Sequence, residues 1–380
     1  MKILHLNNTI NIKKYLQNLG VDSGGLAILS AKAKLHFVAI KGLHVGGANI
    51  LKQDALSIGA DVAVPRGTVI ATQKEVDVLL IGTTKHLKIL AKKELGQPFG
   101  LKEVAHKLHK IVQLNIAQKR EIMGVLNAND DSFFSGSRFT YTQAIQKIEK
   151  MIEEGASIID IGSVSSRPNA PVVDVKEELS RVAPIIEAIG KTKLYEKVAF
   201  SIDSYEPLVI EKALSHGFSI VNDITGLEDD AVCSLCASYR AKAVIMHMQG
   251  RPQTMQNNPE YNDVLDDVYQ FLEQRVEKAE SFGIKDIILD VGIGFGKTVE
   301  DNINLIKNLE HFLTLNKPLL VGASRKSMID KIFPSEVEQR LSGTLALHLE
   351  ALKNGASILR VHDVYEHKQA LEVMQSIERF

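Results

Sequence analysis

Cysteine is nearly missing from this chain: two residues in 380, too few for a disulfide scaffold and in keeping with a reducing compartment. Net charge is nearly missing too, at −1, which excludes partners held by bulk electrostatics such as nucleic acid or an anionic membrane. Any anion must then be met by a local group of basic residues. No apolar run reaches the roughly 18 residues that span a bilayer. The opening Met1–Asn8 has too short an apolar core for a secretory signal, so a soluble cytoplasmic protein is expected. With 45 % hydrophobic and 24 % charged residues and ten prolines, the composition is globular and excludes disordered, collagen-like and coiled-coil chains.

At about 150 residues per domain, the length suggests two or three units, or one large α/β barrel with something smaller. From about residue 120 onward one pattern recurs: a short apolar run ending in polar residues, then a stretch of helical periodicity. The apolar runs are Ile122–Leu126, Ile158–Ile161, Val198–Ile202, Ser219–Val221, Ala243–Met246, Ile287–Leu289, Pro318–Val321 and Ile358–Val361. Continuous apolar runs suit parallel strands covered on both faces. Between them lie amphipathic segments such as Tyr141–Glu154, Glu177–Ile189, Asp263–Ser281 and Leu341–Lys353, with Gly155, Gly190, Gly217, Gly283 and Gly355 at or just past helix ends. The period and size predict a (β/α)₈ TIM barrel over 119–380; a doubly wound sheet usually needs only five or six strands. Residues 1–118 alternate less clearly and are expected to form a small α/β domain with no chemical motif.

In such a barrel the active site is built from the C-terminal strand ends. Every predicted strand end here carries a polar group: Asn127; Ser163 with Ser165, Ser166 and Arg167; Asp203; Asn222 with Asp223; His247; Asp290; Ser324 with Arg325 and Lys326; and Arg360 with His362. Carboxylates, amides and cations on one rim suit a ligand with a polar heterocycle at one end and phosphate at the other. Gly292–Lys297 invites a phosphate-loop reading, but the Walker pattern needs glycine where Val291 stands, and the dinucleotide fingerprint needs it at Lys297. His247 is read as a supporting residue and Asp160, inside an apolar strand, as a hydrogen-bonded support. Asp223 and Asp363 read as loop or cap residues. Cys233 and Cys236 lie three apart on an expected helix with no second pair, which favours structural burial.

Met123–Asn127 with Asp131-Ser132-Phe133, Asp160-Ile161-Gly162 with Ser165-Ser166-Arg167-Pro168, Ile202–Tyr205, Val221–Ile224, Met246–Gly250, Leu289-Asp290 with Gly292–Lys297, Ser324–Ser327 and Arg360–Val364 follow in order along the chain. On these motifs residues 120–380 resemble the dihydropteroate synthases. That family joins 4-aminobenzoate to (7,8-dihydropterin-6-yl)methyl diphosphate and releases diphosphate. The resemblance implies that Asp203, Asn222, Asp290 and Lys326 bind the pterin, and that Asn127, Arg167, Arg360 and His362 hold the diphosphate. It also implies Mg²⁺ on Asn127, a site for aminobenzoate at Ser166, Phe295, Ser324 and Lys326, sulfonamide competition, and a homodimer. Diphosphate departure would leave a pterin-stabilised cation, with loops 127–138 and 163–174 closing to exclude water. The family usually has Thr-Pro where Asn129-Asp130 stands, Glu at Val164, Thr at Ser166 and Pro at Val291; the other binding residues match. A pterin-binding methyltransferase and a non-catalytic pterin- or phosphate-binding paralogue are the alternatives. The methyltransferase should lack the Ser324–Lys326 and Arg360/His362 sites.

Overall fold

The structure is a computed structural model and describes residues 1–7, 10–114, 119–128, 138–163, 173–251, 254–256 and 258–379 (backbone alone over 138–141). The chain forms two compact units, Ile116–Met374 and Met1–Asn115 together with Gln375–Phe380.

In the first unit the elements run α1 (Ile12–Asn18), α2 (Ser23–Ala33), β1 (Leu35–His44), α3 (Val45–Ser57), β2 (Asp61–Ala63), β3 (Glu75–Thr83), α4 (Thr84–Lys93) and α5 (Leu101–Gln113). The strands form an antiparallel sheet in the order β1-β3-β2. Every second residue of β3 is buried (Val76, Val78, Leu80), as a sheet covered on one face requires. These residues pack with Leu51 of α3, Leu87 and Leu90 of α4, and Leu101, Val104 and Leu108 of α5. His106, Lys107, His109 and Lys110 form the solvated face of α5.

The second unit is the expected barrel. Its strands are β4 (Glu121–Asn127), β5 (Ile158–Gly162), β6 (Ala199–Asp203), β7 (Ile220–Asp223), β8 (Lys242–Met246), β9 (Ile287–Asp290), β10 (Leu319–Val321) and β11 (Ile358–Val361), all parallel and closing into one eight-stranded barrel in chain order. Between them run α6 (Arg138–Glu153), α7 (Val175–Thr192), α8 (Pro207–Leu214), α9 (Asp230–Tyr239), α10 (Val264–Ser281), α11 (Val299–Lys307), α12 (Ser327–Ile332) and α13 (Leu341–Lys353), and α14 (Val364–Arg379) follows. Gly190 does not end α7: the helix continues to Thr192, and Lys193 takes the left-handed cap at φ 53°.

One layer of inward side chains decides where the site can be. Met123, Ile158, Ile220, Val244, Ile288, Leu320 and Ile358 meet across the barrel with Ala199 beside them, one residue from each strand. This apolar plug closes the barrel. Two residues further along, the layer becomes Val125, Asp160, Ser201, Asn222, Met246, Asp290 and Arg360 on the same face of their strands, with Gly322 just past the end of β10. Gly322 lies against Arg360: a Cβ there would be in ordinary contact with the Arg360 side chain, 3.6 Å from its Cβ.

Candidate active site

The polar layer above the plug is wired together. The Arg360 Nε donates to Asp160 Oδ2 at 2.6 Å, and its terminal nitrogen donates to Asp203 Oδ2 at 2.6 Å. Asn222 Nδ2 donates to the same Asp160 oxygen at 3.1 Å. Asp160 is fully buried, its other oxygen has no partner among the described residues, and it supports the site from inside the strand as expected. Two carboxylates hold the Arg360 guanidinium, so its charge is retained despite burial and its pKa is raised. Burial pushes Asp203 upward, and Arg360 opposes that shift.

Asp290 ends β9, buried, and accepts from the Gly292 N–H at 2.8 Å. Burial raises its pKa, while Lys326 and then the Gly292 N–H pull it back. Lys326 caps α12, donates to the Ile293 carbonyl and sits with Nζ 4.3 Å from the centre of the Phe295 ring. Burial lowers its pKa to about 8, against the attraction of Asp290. Phe295 packs with Ile224, Met246 and Met255, giving the site an apolar wall beside its charged floor.

Ser324, buried in the loop after β10, meets the exposed His362 with Oγ to Nδ1 at 2.9 Å. Arg325 takes left-handed backbone at φ 57° and is held by Asp363 at 2.5 and 3.0 Å. Asn127 stands half-buried at the end of β4, beside Gly162 of β5. Arg167 and Ser166, with Val164 and most of the two loops expected to close, lie outside the described residues, as do Asn129, Asp130 and Asp131-Ser132-Phe133.

Among the described residues no group of three His, Cys, Asp or Glu could hold a metal ion. A magnesium ion usually needs no such cage: it keeps waters and takes phosphate oxygens plus one or two protein ligands. The Asn127 amide oxygen fits that limited demand.

Sequence reasoning missed a deeply buried lysine. Lys297 is almost wholly buried, and its ammonium donates to His247 Nδ1 at 2.9 Å, the Gly292 carbonyl at 3.0 Å and the Phe295 carbonyl at 2.9 Å. Burial lowers Lys297 to about 7 and His247 to about 2, so His247 is a neutral acceptor and serves as a support. The glycine-rich loop is thus a clamp around a buried lysine rather than a phosphate cradle. Only its position in the loop after a predicted strand hinted at this. Asp223 accepts from the N–H groups of Thr225 and Leu227 at 2.7 and 3.1 Å, as a loop residue. Cys233 and Cys236 are free and buried on α9, with both thiols pushed up by burial. Among the described residues no helix is long and apolar enough to cross a membrane.

The pattern of the pterin-binding enzyme family matches residues 123–362. The chain is 41 % identical over 367 residues to the bifunctional dihydropteroate synthase/dihydropteroate reductase of Helicobacter pylori, covering 97 % of each chain. It is 42 % identical over 271 residues to the dihydropteroate synthase of Haemophilus influenzae, covering 70 % of this chain and 96 % of that one. Among solved structures, the Yersinia pestis dihydropteroate synthase with a sulfonamide drug complex superposes with a TM-score of 0.65 at 35 % identity, covering 70 % of this chain and 97 % of that one. The Xanthomonas albilineans dihydropteroate synthase with 4-aminobenzoic acid gives 0.63 at 36 % identity, over 70 % and 95 %.

Proposed function

The chain belongs to the dihydropteroate synthases of the pterin-binding enzyme family, and from that premise we propose how its own residues divide the reaction. The enzyme joins the methylene carbon of (7,8-dihydropterin-6-yl)methyl diphosphate to the amino nitrogen of 4-aminobenzoate, giving 7,8-dihydropteroate and diphosphate.

Asp290, Asn222 and Asp203 take the amino-pyrimidinone edge of the pterin, whose adjacent N–H donors suit carboxylate and amide acceptors. Lys326 donates to the ring oxygen and nitrogen. Arg360, His362, Asn127 and Arg167 face the diphosphate, and Ser324 with Ser166 and the Phe295–Lys326 pair serve the aminobenzoate. Mg²⁺ bound at Asn127 would neutralise charge on the leaving group. The carbon–oxygen bond breaks with its electron pair leaving on diphosphate, and the cation spreads into the pterin ring facing Asp203 and Asp290. The arylamine lone pair then forms the carbon–nitrogen bond, and its proton passes to water. A neutral arylamine needs no strong base, in keeping with a site built from ion pairs. The observation that carries this reading is the polar layer itself: Asp160, Asn222, Asp290 and Arg360 each stand two residues beyond the plug residue of their strand.

Purified chain supplied with both substrates and Mg²⁺ should form 7,8-dihydropteroate and diphosphate in equal amounts. Dihydropteroate without diphosphate, or neither, would contradict the assignment, and methyl transfer would release no diphosphate. Light scattering should give the mass of a homodimer.

One observation favours a second activity beside the first. The Helicobacter pylori relative, named also as a dihydropteroate reductase, matches nearly the whole chain, whereas the Haemophilus influenzae synthase matches 70 % of it. The first unit is therefore a candidate contributor to reduction, in which a hydride adds to C6 and a proton to N5 of the dihydropteroate ring. Full-length chain given dihydropteroate and a reduced nicotinamide or flavin should form tetrahydropteroate; no such product would remove this second role.

A further inference from the structure

Two buried histidines behind the rim are used by nothing described so far. His348 of α13 is fully buried and His367 of α14 nearly so, with ring centroids 4.9 Å apart. The Ala323 N–H donates to His348 Nε2 at 2.9 Å, so that nitrogen carries no proton. His348 Nδ1 lies 2.8 Å from His367 Nε2. At the far end, His367 Nδ1 lies 2.6 Å from the Asp363 carbonyl, which can only accept. A single proton arrangement of two neutral rings satisfies all three bonds: Nδ1–H on His348 donating to His367, and Nδ1–H on His367 donating to Asp363. An added proton would set two donors face to face.

The ends of this chain matter more than its middle. Ala323 directly precedes Ser324 and stands three residues before Lys326, and Asp363 directly follows His362. We propose that His348 and His367 are positioning residues, an oriented hydrogen-bond chain that sets the spacing between the loop after β10 and the loop after β11. The inference rests on the assignment of Ser324 and Lys326 to the aminobenzoate site. The Arg325–Asp363 ion pair ties the same loops on their outer side, so the buried chain fixes the inner one. Burial lowers the pKa of both histidines, aided at His348 by His367, Lys326 and His362 and opposed at His367 by Asp363 and Glu366. Apolar side chains would fill this space without desolvating four ring nitrogens. What imidazoles add is direction.

Full-length protein labelled with ¹⁵N-histidine tests the proton arrangement without any assay of activity. At pH 7 both rings should give Nδ1–H signals with slowly exchanging protons, assigned by their loss in His348→Gln and His367→Gln. An Nε2–H tautomer or a doubly protonated ring at either position overturns the proposal. In kinetics, the His348→Gln amide can still accept from Ala323 but loses His367. Loss of one buried hydrogen bond should raise KM about five- to tenfold for 4-aminobenzoate, through Ser324 and Lys326, and for the pterin diphosphate, through Lys326 and His362, while kcat stays within about twofold. An unchanged KM for either substrate, or a fall in kcat alone, contradicts the positioning role. A wild-type chain making no dihydropteroate would overturn the functional reading instead, while the tautomers would still report on the chain.

Discussion

Arg360 and Asp160, 200 residues apart, meet at 2.6 Å above the apolar plug, and Asn222 shares the same carboxylate oxygen. The arginine is thereby held over the floor of the site, reaching Asp203 with its other end. Asp160→Ala would leave Asn222 without its acceptor and Arg360 with one carboxylate in place of two. Removing one partner of a buried pair costs about 3–5 kcal/mol; with Asp203 retained, a loss near the lower end is expected in urea unfolding. Turnover should fall about a hundredfold, since a misplacement near 1 Å costs that much. Wild-type kinetics in this variant would show that Asp160 positions nothing.

Lys326 gives the pH dependence a sign. Its pKa is lowered to about 8, so the ammonium is present below that pH and is lost as pH rises through it. If the charged form binds pterin, kcat/KM for the pterin diphosphate should decline above about pH 8. Lys326→Arg, which stays charged, should move that decline to higher pH even if its maximum rate is lower. An alkaline limb that does not move would assign the titration to another group.

Gly292 can be nothing larger. Its φ is 69°, and a Cβ there would lie 1.8 Å from the His247 carbonyl oxygen. Gly292→Ala should displace the loop, breaking both the N–H bond to Asp290 and the grip of Lys297. Pterin affinity should fall at least tenfold, and stability by about 1–3 kcal/mol, the cost of leaving buried polar groups unpaired. Titration and thermal unfolding would measure both, and intact binding would contradict the account of the loop.

The metal can be tested at one residue. Chelation by EDTA should stop condensation, and added Mg²⁺ should restore it. Asn127→Ala should raise the Mg²⁺ concentration needed for half-maximal rate, whereas an unchanged requirement would move the metal elsewhere.

The barrel was legible because each strand is an apolar run that stops at a polar residue: Ile158–Ile161 and Ile287–Leu289 each fall within one residue of an observed strand. The rim was legible for the same reason, through Asp203, Asn222 and Asp290 at strand ends. What joins them was not. The Arg360–Asp203 bond spans 157 positions, and no local spacing announces it. Lys297 reads as a solvated lysine in a glycine-rich loop until the fold closes around it. His348 and His367 sit among ordinary helical residues, and only the packing of α13 and α14 pairs them. In the first unit α1 and α2 escaped notice because they bury no residue, leaving no apolar stripe to read.

The account stands on pterin recognition by the buried carboxylate and amide at the ends of β9 and β7. Calorimetric titration of the dihydropterin diphosphate into wild-type chain, Asp290→Asn and Asn222→Leu tests it most directly. Removing a buried charged or paired partner costs about 2–5 kcal/mol in such sites, so affinity should drop at least thirtyfold in each variant while the fold is kept. Wild-type affinity in both variants would contradict the placement of the pterin on this floor.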